Sequence, residues 1–246
     1  MKLFYDFENH PVSDALAVFT FGTFDGVHLG HQYIFSIVRD EAQKRGLKTA
    51  CLTFSNHPIE VLRPDIHLEQ LTSIEQKLKL LQKTGFDYLL FLPFDTALRG
   101  LSAHEFLQKV QKMVPFSLLV VGSDVTFGKD CEGNQDFIRQ NPQGFEALLL
   151  ERFCVDGIAV SSSRIRRAIR EGGFREAEKL LGRPYVLSIQ ELKHYCFPPS
   201  GNYLVEVRAS AKGEWKRARL AVSSVQQIAL IDYDGVATEL RFLEKE

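Results

Sequence analysis

The sequence has 246 residues, 25% of them charged and 45% hydrophobic, with a formal net charge of -1. That length buries a substantial core in one or two domains. The composition is that of a globular chain, and the near-cancelling charge excludes a generic nucleic-acid surface. Cys51, Cys131, Cys154 and Cys196 make no Cys-x-x-Cys pair and no metal-ligand spacing, which favours a reducing compartment over a disulfide framework. Asp6 and Glu8 stand where a signal peptide is basic, and the apolar run 15–21 is too short to span a bilayer. The expectation is a cytoplasmic protein with no membrane and no nucleic-acid partner.

Residues 16–24 are almost continuously apolar, as buried parallel strands are. A helical pattern starts at Leu29, with Tyr33, Ile34, Ile37, Val38 and Ala42 on one face and Gly46 as its stop. Residues 49–54 read as a strand, 72–85 as a helix and 87–94 as a strand. The helix expected over 102–114 opens with Ser102 and Glu105 at capping-box spacing. Strands follow at 117–122 and 147–153, then a helical pair at 162–170 and 174–181. Such alternation predicts an α/β fold with a parallel sheet and right-handed crossovers, its ligands lying outside the carboxyl ends of the strands.

After Gly182-Arg183-Pro184 the texture changes. Residues 202–209, 215–222, 226–232 and 237–243 alternate as antiparallel strands do, with Lys212-Gly213 and Asp234-Gly235 as turns. The reading is a first domain over 1–184 and a small antiparallel β domain over 185–246. The second is too short to fold alone without a staple, so it is expected to pack on the first.

Two stretches carry chemistry. The first is Gly22-Thr23-Phe24-Asp25-Gly26-Val27-His28-Leu29-Gly30-His31, where a strand runs into a helix. Its glycines let a ligand approach the backbone. His28 and His31 share one face of the first helical turn, where unpaired N–H groups and the helix dipole favour an anion. Phosphoryl or nucleotidyl transfer needs such a site, because its catalysis is largely positioning and charge stabilisation. A zinc peptidase is excluded, since it needs histidines four apart with a glutamate beside the first, where Leu29 stands.

The second stretch is Ser161-Ser162-Ser163-Arg164-Ile165-Arg166-Arg167 at a helix start. A serine N-cap explains the serines. The arginines oppose the dipole, and a bound polyanion, gripped by Ser163 and Arg166 on one face, removes that conflict.

Together these stretches resemble the two nucleotide-binding motifs of the His-x-Gly-His adenylyltransferases. They are most similar to the FMN adenylyltransferase module of bacterial bifunctional riboflavin kinase/FAD synthetases. The likeness runs in order through 22–32, Thr53-Phe54-Ser55-Asn56-His57-Pro58, Leu71-Thr72-Ser73 with Lys77, Leu92-Pro93-Phe94-Asp95, 121–128, Gly133-Asn134, 160–166 and 181–185. It implies a Rossmann-like nucleotidyltransferase domain followed by a riboflavin-kinase-like remnant forming a partial barrel. It also implies His28 and His31 as catalytic donors to ATP phosphates. Gly22, Thr23, Phe24, Gly30, Ser162, Ser163 and Arg166 are then implied as ATP-binding, and Asn56, His57, Pro58, Asp124 and Phe127 as bordering FMN.

Mg²⁺ is implied with ATP, without an assignable protein ligand, and FMN and FAD are implied as substrate and product. The chain departs from the family pattern at Thr23, where asparagine is usual, and at Thr126 and Cys131, where arginine or lysine is common. Two alternatives stay open: an enzyme of the same fold with another phosphorylated acceptor, and a non-catalytic flavin-nucleotide binding protein. The relatives' kinase domain carries Gly-x-Pro-Thr-Ala-Asn. Here Thr238 and Asn202 are the only threonine and asparagine after Pro184, so that motif is missing. Gln227 falls where the kinases place a catalytic glutamate.

Overall fold

A computed structural model describes residues 1–7, 12, 16–140, 144–210, 212–224 and 227–246. In chain order the regular elements are β1 (Lys2–Phe4), β2 (Ala17–Phe21), α1 (Leu29–Arg45), β3 (Lys48–Phe54), α2 (Ile59–Leu62) and α3 (Ile74–Gln82). There follow β4 (Tyr88–Leu92), α4 (Thr96–Gly100), α5 (Ala103–Met113), β5 (Phe116–Gly122), α6 (Gln135–Gln140) and β6 (Glu146–Leu150). Next are β7 (Cys154–Val155), β8 (Ile158–Ala159), α7 (Ser162–Arg170), α8 (Phe174–Leu181) and β9 (Val186–Ser188). The chain closes with β10 (Gly201–Arg208), β11 (Lys216–Ser224), β12 (Gln227–Leu230) and β13 (Glu239–Lys245).

The chain packs as two compact units. The first comprises Met1–Phe24, Gly30–His67 and Leu78–Cys154. Its six strands lie in the order β1-β4-β3-β2-β5-β6, every neighbour parallel. The central strands β2 and β4 are buried at every position, as their unbroken apolar runs require. Phe19, Leu52, Leu90, Phe106, Val110 and Phe116 are among the core side chains, so the sheet and the apolar face of α5 bury one another. Ser102 caps α5 as its spacing predicts: its hydroxyl accepts from the Glu105 N–H, and the Glu105 carboxylate accepts from the Ser102 N–H. Because β3 and β5 flank β2 on opposite sides, the strand order reverses there. The carboxyl ends of β2 and β5 are thus the place where a parallel sheet of this kind opens a crevice.

The second unit comprises Asp25–Leu29, Leu68–Lys77 and Val155–Glu246. Its sheet runs β12-β11-β10-β13-β9, antiparallel throughout. Tyr203, Val205 and Val207 of β10 point to one face, and the Phe242 ring stacks on Phe174 of α8 with centroids 4.6 Å apart. Helices α7 and α8, which precede the change of texture at Pro184, therefore pack with the antiparallel sheet. On the polar face, the guanidinium groups of Arg208 and Arg241 both lie over the Trp215 ring, 4.3 and 4.6 Å from its centre.

Helices α7 and α8 have the bounds the sequence gives them, and strands β3, β10 and β13 lie within two residues of theirs. The helix expected over 72–85 is shorter, because Ser73 accepts from the Gln76 N–H and starts α3 at Ile74. The strand expected from 226 is seen as β12; Gln226 itself lies outside the described residues. Strands β1, β7, β8 and β9 and the short helices α2, α4 and α6 were not anticipated.

Candidate active site

In the first unit, β2 ends in Gly22, Thr23 and Phe24. The Gly22 N–H donates to the Leu52 carbonyl (3.1 Å) and the Thr53 hydroxyl donates to the Thr23 carbonyl (3.0 Å), so β3 fixes the exit of β2. A Cβ on Gly22 would lie 3.0 Å from the Phe24 ring, so a larger residue there would have to displace that ring. Phe24 has φ 49°, a strained value for a bulky residue. Its ring meets His31 edge-on at 5.1 Å and Phe35 at 4.8 Å. His31 and Gly30 lie in the first turn of α1, half-buried.

At the end of β3, the Asn56 carboxamide is doubly engaged with the main chain of Phe94 (2.9 and 2.7 Å), tying the β3 and β4 exits together. The His57 Nδ1 accepts from the Ile59 N–H (3.2 Å), and Pro58 opens α2. Beyond β5, Asp124 is exposed and pairs with Arg152 (3.1 Å). The Phe127 ring packs among Phe21, Phe106 and Phe137, so it is a core side chain as well as a neighbour of the strand ends. Each of these segments falls at a strand's carboxyl end, as the sequence predicts.

In the second unit the turn 25–28 is built around two guanidinium groups. Asp25, 5% exposed, accepts from the Leu71 N–H (3.0 and 3.1 Å), the Thr72 hydroxyl (3.3 Å) and Arg166 Nη2 (2.5 Å). Arg166 Nε donates to the Glu69 carbonyl (2.7 Å). Ser161 caps α7 by accepting from the Arg164 N–H, and the Ser162 hydroxyl donates to the Asp25 carbonyl (3.0 Å). Arg183 donates to the carbonyls of Gly26 (2.5 Å), Val27 (3.2 Å) and Leu181 (3.4 Å). Burial pushes its guanidinium down to about 10, against the opposing pull of Asp25. Burial also pushes His28, 5% exposed, down to about 4, and the charges of Arg183 and Arg166 add to that effect, while a main-chain hydrogen bond opposes it. His28 is thus a neutral imidazole above the acid range. A strongly perturbed titratable group in a strained turn is a mark of a functional site.

One argument from the sequence is corrected here. The cations at the start of α7 were read as needing a bound polyanion. The chain itself relieves two of the three: Arg166 pairs with Asp25, and Arg164 pairs with Glu176 (2.7 Å), while Arg167 is exposed. Ser163 is exposed while Arg166, one turn on, is buried. Asp25, Arg183, Leu71 and Thr72 were missed as members of this constellation, although all four lie inside the stretches that carry the family likeness. Among the described residues, no group of three or more His, Cys, Asp or Glu side chains is disposed to hold a metal ion. The Asp25 carboxylate is saturated by donors, so the residues present do not form a cage for Mg²⁺. No helix is long and apolar enough to cross a membrane, among the described residues.

What the second unit offers is a buried, strained turn that carries a neutral His28 imidazole; what the first unit offers is a parallel sheet whose strand order reverses at β2. The FAD synthetase family matches residues 10–164. This chain belongs to the FAD synthetase family. The bifunctional riboflavin kinase/FMN adenylyltransferase of Pseudomonas fluorescens is 32% identical over 226 residues, covering 89% of this chain and 69% of that protein. The enzyme of the same name from Escherichia coli (strain K12) is 33% identical over 174 residues, 70% of this chain and 56% of its own length. The chain thus spans little more than half the length of that relative. A crystal structure titled as a macrolide-efflux protein from Streptococcus pneumoniae aligns with TM-score 0.81 at 24% identity, over 99% of this chain and 89% of that one. That likeness is one of fold.

Proposed function

We propose that this FAD synthetase family chain is an FMN adenylyltransferase that carries no riboflavin kinase activity and works in the cytoplasm. An oxygen of the FMN phosphate attacks the α-phosphorus of ATP. The new P–O bond forms as the bond from the α-phosphorus to the β-bridging oxygen breaks, and pyrophosphate leaves. His28 and His31 donate to the phosphate oxygens on which charge develops, without themselves forming a covalent bond. Gly22, Thr23, Phe24 and Gly30 line the nucleotide's path, Ser162 and Ser163 at the start of α7 take the leaving pyrophosphate, and Arg166, paired with Asp25, braces that helix start against the turn. Asn56, His57, Pro58, Asp124 and Phe127 border the flavin. Mg²⁺ enters with the nucleotide as counter-charge to its phosphates. The nucleotidyltransferase domain is residues 1–184, and residues 185–246 are a remnant of the relatives' kinase domain.

The single observation that most supports this reading is the ordered family match over residues 10–164, which includes the buried His28 turn. The sheet of β9 to β13 contains no Pro-Thr-Ala-Asn sequence, and β12 opens on Gln227, whose amide cannot accept a hydroxyl proton as a carboxylate does. The test is chromatography of products from ATP, Mg²⁺ and, in separate reactions, FMN, riboflavin, nicotinamide mononucleotide and phosphopantetheine. FAD from FMN alone is expected. A product from another acceptor would replace the flavin assignment, and FMN formed from riboflavin would refute the kinase assignment.

A further inference from the structure

Gly26 and Val27 both have left-handed backbones, with φ 80° and 40°. For glycine that conformation is permitted, but for a β-branched residue it costs on the order of 1–3 kcal/mol and persists only where the surroundings impose it. Val27 is 3% exposed, so the strain sits in a packed interior. Packing excludes alternatives at Gly26, where a Cβ would come within 2.8 Å of the Leu71 side chain. What grips the main chain is Arg183: one guanidinium donates to the carbonyls of both Gly26 and Val27 and, on its near side, to Leu181.

In a trans peptide the C=O and the following N–H point in opposite directions. Holding the Gly26 and Val27 carbonyls on Arg183 therefore turns the N–H groups of Val27 and His28 the other way. It also sets the backbone from which the His28 ring projects. Arg183 makes no ion pair among the described residues, and it reaches three carbonyls instead. A planar fork does this with donors fixed on separate nitrogens, whereas an ammonium gathers its three donors on one freely rotating atom and cannot hold the same spacing.

We propose that Arg183 is a positioning residue, holding the strained Gly26–Val27 turn in the one conformation that presents His28 to the transferring phosphate. The burial of Arg183 and the effect of its charge on His28 agree with this role, since the same group that sets the turn also bears on the histidine. The assignment rests on the reading of His28 as a phosphate donor, and the two are tested by separate readouts.

The experiment compares the wild type with Arg183→Lys and Arg183→Gln, each assayed well below its melting temperature. The readouts are steady-state FAD synthesis and the NMR titration of His28 in protein labelled at histidine. Loss of the fork is expected to lower kcat by about 10- to 100-fold in both variants, as sub-ångström misplacement does. The KM for ATP should change by less than about threefold. The His28 midpoint should rise by about one pH unit in Arg183→Gln, which removes the charge, and stay near the wild-type value in Arg183→Lys.

A merely stabilising arginine would lower the melting temperature and leave kcat untouched. A kcat within threefold of wild type in both folded variants overturns the proposal. If Arg183→Gln does not fold, Arg183→Lys decides alone, because it keeps the charge and loses only the grip. If the wild type makes no FAD, the FMN reading falls. The His28 midpoint in Arg183→Gln then still decides whether Arg183 governs that histidine, and an unchanged midpoint would overturn it.

Discussion

A buried carboxylate and a buried guanidinium stabilise a fold as a pair, and removing either one strands the other in a low-dielectric interior. Asp25 and Arg166 form such a pair, with side chains 6% and 8% exposed. Arg166→Ala is therefore expected to destabilise the ligand-free protein by about 3–5 kcal/mol. Asp25→Asn combined with Arg166→Met should cost less than the sum of the single changes. Urea unfolding of the four proteins measures this, and a wild-type midpoint for Arg166→Ala would contradict it. His28 gives a pH signature of opposite origin. Its folded value of about 4 lies below the ordinary 6.5, so the unfolded chain binds a proton first as the pH falls. Stability from this group is complete above pH 6.5 and is lost between 6.5 and about 4, by about 3 kcal/mol. Subtracting the curve for His28→Gln from that of the wild type should isolate this slope; parallel curves would show that His28 is not buried neutral. In turnover, His28→Ala and His31→Ala should each lose about 10²–10³. The two histidines are legible in the sequence because they are local to one motif. The role of Asp25 is not, because Arg166 lies 141 residues further on and no local pattern joins them.

At the scale of elements, legibility follows the strength of local signals. Helix α5 is legible because Ser102 and Glu105 cap it reciprocally, and α8 because Gly182, at φ 70°, ends it. Replacing Ser102 with alanine should cost about 1 kcal/mol in a chemical denaturation curve, and a shift below a few tenths would mean the box contributes nothing. Strands β1 and β9 have three residues each, too few to show a period, and their pairing partners β4 and β13 are distant in sequence. The hairpin turn between β7 and β8 did carry a signal. Asp156 and Gly157 are both left-handed, at φ 51° and 75°, as an Asp-Gly turn requires, but its two-residue strands are too short to be read.

Across the whole molecule, the parallel sheet and the antiparallel sheet were both legible, the first from continuous apolar runs and the second from alternation. The grouping of the turn 25–28 with α7, α8 and the β9–β13 sheet was not, since it depends on buried contacts of Asp25, Arg166 and Arg183. That grouping gives the antiparallel sheet a physical use: Phe242 and Tyr203 pack on Phe174 of α8, which supports the helix pair carrying Arg166. The central claim is AMP transfer to FMN. It is tested most directly by supplying ATP labelled at the α-phosphorus, or in parallel at the γ-phosphorus, with FMN and Mg²⁺, and following both labels. The account predicts that the α label enters FAD in a one-to-one ratio with γ-labelled pyrophosphate. An α label that stays in ATP, or that appears in free AMP with no FAD formed, would contradict it.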